Sequence, residues 1–174
     1  MPVVEWPDVP PCPKELHNYW LWPDVAHGFA QLLDVETKLY VELGSWCGAS
    51  AVLASMHAPN AMLVCIDTWD GRGAQYDRDV AARSREVFQA NLWHARDRVQ
   101  MLQMTTLEGV KALAHDGVAA HADVVYIDAD HSYDGAKADM MACKQLFPNA
   151  TICGDDHNAV NRAIDDFFDD AHSV

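Results

Sequence analysis

The sequence predicts an α/β fold built on a doubly wound, mainly parallel sheet. Short apolar runs recur from residue 38 onward, and longer stretches with helical spacing separate them. This alternation is typical of parallel strands joined by crossover helices. The length of 174 residues fits one domain of this class with a core that is readily buried.

Five strands and the helices that follow them can be placed from the apolar pattern. The predicted strands run over Leu39 to Leu43, Met62 to Asp67, Val99 to Met104, Asp123 to Asp128 and Thr151 to Gly154. The predicted helices run over Ala49 to Met56, Val80 to Ala95, Leu107 to His115, Tyr133 to Leu146 and Val160 to Asp170. In such a sheet ligands bind beyond the carboxyl ends of the strands, so the residues after each strand are the site candidates.

The charge balance disfavours nucleic acid as a partner. Lys and Arg total 12 against 26 Asp and Glu, and the resulting net charge of -14 repels a phosphate backbone. The acidic excess favours either a cationic ligand or simply a solvated, soluble surface, and the charge alone does not separate these alternatives.

The cysteines and the N-terminus predict a cytoplasmic protein. The five cysteines show no C-x-x-C spacing, which argues against a disulfide framework and a zinc knuckle. The N-terminus carries acidic residues and prolines where a signal peptide needs a basic start and an apolar run. No segment approaches the roughly 18 apolar residues of a membrane span.

Residues 1–30 are predicted to form an N-terminal arm or lid, and residues 31–174 the α/β domain. The first 24 residues combine four Trp or Tyr side chains with six prolines. Prolines oppose regular structure, whereas aromatic rings favour burial. The segment therefore either closes over a ligand or covers one edge of the sheet.

The turn after the first strand, VELGSWCGAS, contains Glu42, Gly44, Gly48 and Ser50. Glycine permits tight turns and close ligand approach, and the start of the following helix offers free amides to an anion. Alternatively, the glycines only let a strand and a helix pack closely. The spacing is neither the G-x-G-x-x-G of dinucleotide enzymes nor a P-loop, so a phosphate-binding role is disfavoured.

The second strand ends in Asp67, and Trp69 follows in TWDGRGAQYD. An acidic side chain at this position can accept hydrogen bonds from both ribose hydroxyls of an adenosine. The alternative is an ordinary aspartate that caps a turn. Trp69 either stacks on a purine or forms a buried wall of the cleft, and the buried wall is the safer interpretation.

The densest polar cluster follows the last two strands, in YIDADHSYDG and GDDHN. If these strands are neighbours, Asp128, Asp155 and Asp156 converge, and their mutual repulsion requires a cation. All-oxygen ligation favours Mg²⁺, Ca²⁺ or Mn²⁺ over zinc. Alternatively, Asp155 and Asp156 cap the final helix and Asp128 bonds a loop.

Taken together, VELGSWCGAS, VCIDTWDG, VVYIDADHSYDG and ICGDDH resemble the class I S-adenosylmethionine-dependent methyltransferases in order and spacing. The similarity covers roughly residues 38 to 170 and is greatest to the small, metal-dependent O-methyltransferase-like branch. It implies a Rossmann-like fold. Members usually continue with two more strands, so the sheet is expected to lack the last two strands of the usual seven.

The resemblance also implies roles for individual residues. The cofactor contacts it implies are Glu42, Gly44 and Gly48 at the methionine part, Asp67 at the ribose, and Ser45, Ser50, Trp69 and Asp128 as further contacts. The metal ligands it implies are Asp128, Asp155 and Asp156, with Mg²⁺ as the expected ion. Either Asp130 or His131 takes the substrate proton, and Asp130 is slightly preferred.

The predicted function is S-adenosylmethionine-dependent methyl transfer to a hydroxyl of a small molecule. A bound metal lowers the pKa of the substrate hydroxyl, and a nearby base removes its proton. The alternatives are a non-catalytic S-adenosylmethionine-binding module and, less favoured by the glycine spacing, a nicotinamide oxidoreductase. The open sheet edge makes a homodimer a further hypothesis, and a membrane is not an expected partner.

Overall fold

Five parallel strands form one sheet in the computed structural model, which describes residues 3–11, 23–71 and 81–172. The strands are β1 (Leu39–Leu43), β2 (Met62–Asp67), β3 (Val99–Gln103), β4 (Val124–Ile127) and β5 (Thr151–Gly154). Their order in the sheet is β3-β2-β1-β4-β5, and each pairs in parallel with its neighbours. The strand order reverses between β1 and β4, which is where doubly wound sheets bind ligands.

Six α-helices lie within the described ranges. They are α1 (Pro23–Leu32), α2 (Ala49–His57), α3 (Ser84–Asn91), α4 (Thr106–His115), α5 (Tyr133–Leu146) and α6 (His157–His172). Local sequence sets two of their starts. Thr105 and Glu108 form a reciprocal capping box before α4, and Ser132 caps α5 by accepting a hydrogen bond from the Gly135 amide at 3.1 Å. Across the same ranges, no helix has both the length and the apolar character needed to cross a membrane.

The core occupies both faces of the sheet, because successive strand side chains point to opposite faces. One face carries Tyr40 and Tyr126 beneath α1, α2 and α3. The other carries Val41 and Val64 beneath α4 and α5. All five positions of β1 are buried, as expected for a central parallel strand. The acidic residue of this strand, Glu42, therefore lies inside an apolar layer.

The predicted fold class and the doubly wound parallel sheet are confirmed. The bounds of β1, β2 and β5 match the prediction, while β3 ends one residue early and β4 spans Val124–Ile127. Asp123 lies outside β4 because its carboxylate accepts hydrogen bonds from the Lys38 and Leu39 amides at 2.7 and 2.9 Å. Asp123 thus caps the start of β1 from the position just before β4.

Two of the predicted helices differ from the structure by more than one residue. The helix expected over Val80 to Ala95 is α3, which ends at Asn91 and is followed by a 3₁₀ helix over Trp93–Arg98. The last helix begins three residues before Val160, because the backbone carbonyl of Asp156 accepts hydrogen bonds from the Ala159 and Val160 amides.

The helix α1 was not predicted, because the prolines before it obscured its start. Proline is favourable at the first helical position, where its missing amide costs no hydrogen bond. Phe29 of α1 packs against Tyr40 and Tyr126 with ring centroids 6.0 and 4.9 Å apart. This helix continues past residue 30, where the sequence predicts the boundary between the N-terminal arm and the α/β domain. That boundary stays a prediction.

The first described residues extend along the edge strand β3. Val3 forms an antiparallel bridge with Leu102, and the Val4 amide donates to the Met101 carbonyl at 3.0 Å. Residues 3 and 4 therefore cover a sheet edge, one of the two roles that the sequence leaves open for the arm. The stretch 12–22 of that arm lies outside the described residues.

Trp6 anchors this edge, and Trp6→Ala is expected to lower the free energy of unfolding by about 2 kcal/mol through lost aromatic packing. Its ring centroid lies 6.5 Å from that of Phe88 and 6.2 Å from that of Trp93, and its Nε1 donates to the Val99 carbonyl at 3.2 Å. Denaturant unfolding at matched m-values measures the effect. Val9→Ala is the control, since Val9 is 70% exposed. Equal effects of the two substitutions would show that the edge contact contributes nothing.

Candidate functional site

Gly44 brings the turn after β1 into direct contact with the end of β4. Its φ is +87°, and its amide donates to the Ile66 carbonyl of β2 at 2.9 Å. A Cβ at this position would lie 1.9 Å from the carbonyl oxygen of Asp128, which no real pair of such atoms permits. Both the backbone conformation and the available space therefore require glycine here.

Gly48 and Ser50 open α2 beneath this turn. Gly48 also has a left-handed backbone, with φ +83°, and a Cβ there would lie 2.7 to 2.8 Å from side-chain atoms of Leu92 and Phe88. The close-packing role that the sequence left open thus applies to Gly48. Ser50 is buried in the first turn of the helix.

Asp67 ties the turn after β1 to the turn after β2. Its Oδ2 accepts a hydrogen bond from the Trp46 amide at 2.8 Å, and its Oδ1 accepts one from the Trp69 amide at 2.7 Å. The Trp69 indole then donates to the Trp46 carbonyl at 2.8 Å. Burial raises the pKa of Asp67, and the two amides oppose this rise. The predicted turn-capping and ligand-binding roles are compatible, because each carboxylate oxygen has a second lone pair.

Backbone strain is concentrated at the same edge of the sheet. Among the described residues other than glycine, positive φ angles occur at Trp46 (39°), Trp69 (45°) and Asp156 (55°). They follow β1, β2 and β5. Such conformations are costly for residues that carry a Cβ, and they occur preferentially at ligand sites. The ring of Trp69 is buried against Phe88, as the safer interpretation predicted.

Glu42 is completely buried beneath this edge. Its Oε2 accepts a hydrogen bond from the Tyr40 hydroxyl at 2.5 Å. Burial raises the pKa of Glu42 to about 7, although the hydroxyls of Tyr40, Ser45 and Ser50 act in the opposite direction. The charge on Asp128 raises it further.

Several buried polar atoms at this edge form no hydrogen bond of ordinary geometry with any residue that the structure describes. They are Oε1 of Glu42, Oγ of Ser45, Nε1 of Trp46 and the hydroxyl of Tyr126. Tyr126 is the register neighbour of Glu42 on β4. The Tyr126 hydroxyl lies near the carboxylate of Asp155, but the two groups do not form a hydrogen bond of ordinary geometry. Unpaired buried polar groups cost free energy, so their concentration here indicates that a ligand completes them.

His131 lies between two carboxylates at the ends of β4 and β5. Its Nε2 is 3.2 Å from Oδ1 of Asp128 and 3.1 Å from Oδ2 of Asp156. The hydrogen bond with Asp128 raises the pKa of His131, partial burial opposes this, and the charge on Asp156 adds to the rise. One potential metal-ligand atom from each residue lies within 4.8 Å of the others.

Asp155 and Asp130 lie beside this group but have other contacts. Oδ1 of Asp155 accepts a hydrogen bond from the Asp156 amide at 2.7 Å, and burial raises the pKa of Asp155. Oδ1 of Asp130 accepts one from the Ser132 amide at 2.9 Å, and its carboxylate packs against Gly135 at the start of α5. The potential metal-binding group in the structure thus contains Asp128, His131 and Asp156. The set predicted from the sequence contains Asp155 in place of His131.

Sequence reasoning missed three residues that shape this site. Tyr40 and Tyr126 place hydroxyls beside Glu42, and the signal available was two tyrosines within otherwise aliphatic strands. Trp46 bonds Asp67 through its amide, and no sequence signal marks a tryptophan with a left-handed backbone.

The strand order, the glycine turn and the acidic residues within β1, at the end of β2 and after β4 define a Rossmann-like fold of the methyltransferase type. A family model for a methyltransferase domain matches residues 41–157. The chain therefore belongs to this methyltransferase domain family, and the resemblance drawn from the sequence is confirmed. A search of curated proteins finds no significant match.

Solved structures share the fold at low sequence identity. An O-methyltransferase from Bacillus cereus in complex with S-adenosylhomocysteine is 16% identical, with a TM-score of 0.60 over 91% of this chain and 73% of that one. A Podospora anserina methyltransferase with S-adenosylhomocysteine bound is 18% identical, with a TM-score of 0.57 over 94% and 80%. A proposed O-methyltransferase from Klebsiella pneumoniae is 18% identical, with a TM-score of 0.55 over 75% of this chain. This chain spans about half of the Klebsiella protein, covering 53% of its length.

Replacing Gly44 tests the close contact between β1 and β4. Gly44→Ala is expected to lower the free energy of unfolding by at least about 3 kcal/mol, because the added Cβ collides with backbone that cannot move freely. Gly117→Ala is the matched control. Gly117 also has a positive φ, of +76°, but nothing lies within 4 Å of its added Cβ, so this substitution should cost only about 1 kcal/mol. Denaturant unfolding of both variants measures the difference, and equal losses would contradict the proposed collision.

Proposed function

We propose that this protein transfers the methyl group of S-adenosylmethionine to a hydroxyl of a small molecule with the help of a divalent metal. One observation carries the proposal. Buried polar atoms that form no hydrogen bond of ordinary geometry within the described residues lie at the end of β1 and in the turn after it, and they include an acceptor in Glu42 and donors in Ser45 and Trp46. An amino-acid group with an ammonium and a carboxylate needs this combination.

The residues present suit the rest of the cofactor as well. Asp67 keeps one lone pair on each oxygen for a ribose hydroxyl. Gly44 stays proposed as a contact of the methionine part, because it lets the turn after β1 lie directly against the backbone of Asp128. Gly48 stays proposed as a contact of the methionine part of the cofactor. Because of their positions around this edge, we also propose further cofactor contacts at Ser50, Trp69 and Asp128.

The group of Asp128, His131 and Asp156 suits a divalent cation. The carboxylates of Asp128 and Asp156 would hold the ion, since Mg²⁺ and Mn²⁺ prefer oxygen ligands, and the His131 imidazole beside them stays available for a proton. Asp155 completes the ligand set predicted from the sequence, but its Oδ1 already accepts a hydrogen bond from the Asp156 amide, so we expect it to contribute least to metal binding. When bound, the metal would lower the pKa of the acceptor hydroxyl.

His131 is the better candidate for the residue that takes the substrate proton. Its imidazole is half-exposed and lies 3.2 Å or less from the two carboxylates that would hold the metal. Asp130 instead stabilises the start of α5 through the Ser132 amide. Asp128 and Asp156 orient the ring and stabilise its protonated form, which is what a base needs once it has accepted a proton.

Calorimetric titration tests the class of cofactor. S-adenosylhomocysteine is expected to bind with a micromolar dissociation constant, about -8 kcal/mol, whereas NAD gives no heat above dilution. The pyrophosphate of NAD would be repelled by the carboxylates at this edge. Tight NAD binding without a response to S-adenosylhomocysteine would reject the proposal in favour of an oxidoreductase. Cofactor binding without methyl transfer to any hydroxylated acceptor would favour the non-catalytic module.

Metal binding separates the group seen in the structure from the set predicted from the sequence. Asp128→Asn and Asp156→Asn are expected to weaken Mn²⁺ binding by more than about tenfold, or ~1.4 kcal/mol, because each removes a charged ligand. Asn tolerates the left-handed backbone of Asp156, so this variant should keep its fold. Asp155→Asn is the control and should lose much less. Electron paramagnetic resonance of free Mn²⁺ measures the affinity, and an equal loss in all three variants would restore the predicted set.

The methyl acceptor is proposed only as a small hydroxylated molecule. A cytoplasmic location and a homodimer likewise stay predictions from the sequence. The strand β5 lies at the end of the described sheet, so a second chain pairing with it is one way to form such a dimer.

A further inference from the structure

Tyr133 joins the two chain segments that carry the proposed metal group. It is the first residue of α5 and follows His131 by two positions. Its hydroxyl donates to Oδ2 of Asp166 on α6 at 2.5 Å. The helix α6 begins at His157, directly after Asp156. One side chain therefore links the segment after β4 to the helix that follows the segment after β5.

Two cationic side chains contact the ring of Tyr133. The guanidinium carbon of Arg162 lies 4.9 Å from the centroid of this ring, and Nζ of Lys137 lies 5.8 Å from it. Cations at these distances are attracted by the negative face of an aromatic ring. Arg162 and Asp166 are four residues apart on α6, so both lie on the same face of that helix. The ring and the hydroxyl of Tyr133 thus both contact this face of α6.

The carboxylate of Asp156 depends on α6 for its position. The strand β5 before it lies at an end of the described sheet, and none of its residues is fully buried. Asp156 has a left-handed backbone, and its carbonyl accepts hydrogen bonds from the Ala159 and Val160 amides in the first turn of α6. The helix α6 in turn packs against α5. The docking of α6 on α5 therefore helps to set the distance between the carboxylates of Asp156 and Asp128.

We propose that Tyr133 is a positioning residue for the divalent cation: by tying α6 to the start of α5, it keeps the Asp156 carboxylate within reach of an ion that Asp128 also holds. This inference rests on the proposed function, because it requires a metal at these two carboxylates. Tyr133 acts through α6 and not as a ligand, since its hydroxyl donates to Asp166. Loss of that hydroxyl should let Asp156 move away from the ion and should leave Asp128 in place.

Mn²⁺ binding in a double-mutant cycle tests this role. Tyr133→Phe keeps the ring and removes the hydrogen bond, and it is expected to weaken Mn²⁺ binding about fivefold. In the Asp156→Asn background the same substitution should change the affinity less than about twofold, because the ligand that Tyr133 positions is already lost. In the Asp128→Asn background the loss should persist, since Asp156 is still present. Electron paramagnetic resonance of free Mn²⁺ measures each affinity.

Asp166→Ala tests the same link from α6, and Asp165→Ala is its matched control. Both substitutions remove one carboxylate from neighbouring positions of the helix, but Asp165 is exposed and Asp166 accepts the hydrogen bond from Tyr133. Asp166→Ala should weaken Mn²⁺ binding as much as Tyr133→Phe, and combining the two should cause no further loss. Asp165→Ala should change the affinity less than about twofold, because solvent and salt screen an exposed charge. Equal losses in both aspartate variants would show that only the charge of α6 matters, and the inference would be wrong.

Two further outcomes would overturn the inference and are distinguishable. If Tyr133→Phe leaves Mn²⁺ binding unchanged, or weakens it equally whether or not Asp156 is replaced, this inference fails and the proposed function stands. If the wild type does not bind Mn²⁺, the metal-assisted function fails with it. The affinity of Tyr133→Phe for S-adenosylhomocysteine should change less than about twofold, which checks that the variant keeps its fold. Because Asp166→Ala reports on the same link, the test holds even if Tyr133→Phe does not fold.

Discussion

The contact between Gly44 and the backbone of Asp128 is the constraint on which the site depends. It lies between β1 and β4, where the strand order reverses and the loops on either side diverge. Because no Cβ separates the two turns, the buried Glu42 and the exposed end of β4 belong to one continuous edge. Asp67 extends this edge to β2 by bonding the backbone on both sides of the cleft. Three neighbouring strands thus present one surface to a ligand.

The sheet could be predicted because its strands obey simple rules. Central parallel strands are buried on both faces and read as uninterrupted apolar runs, so the bounds of β1 and β2 follow from composition. Less regular elements depend on contacts that a local pattern does not contain. The apolar pattern places Asp123 in a strand, since the capping of β1 by its carboxylate depends on a contact that only the structure shows. The helix α1 was missed because its helical character depends on Phe29 packing against distant strands.

The site could be predicted in its composition but not in its arrangement. The sequence indicates which acids follow the strands, and parallel topology brings them together. It does not indicate that Asp156 adopts a left-handed backbone, which decides where its carboxylate points. It also does not indicate that Asp130 bonds the start of α5 while His131 lies between two carboxylates. Such choices depend on a few backbone angles in short turns, where side-chain type sets only a weak preference.

Acidic side chains are concentrated at this edge of the sheet. Glu42, Asp128, Asp155 and Asp156 lie at the ends of adjacent strands, and Asp128 raises the pKa of both Glu42 and Asp155. The fold limits their repulsion in two ways: burial raises the pKa of Glu42, and the imidazole of His131, whose pKa is raised, lies between Asp128 and Asp156. A ligand that brings an ammonium and a sulfonium relieves the remaining repulsion, whereas one that brings phosphates adds to it. The same acids that make the empty edge costly therefore favour a cationic cofactor over a dinucleotide.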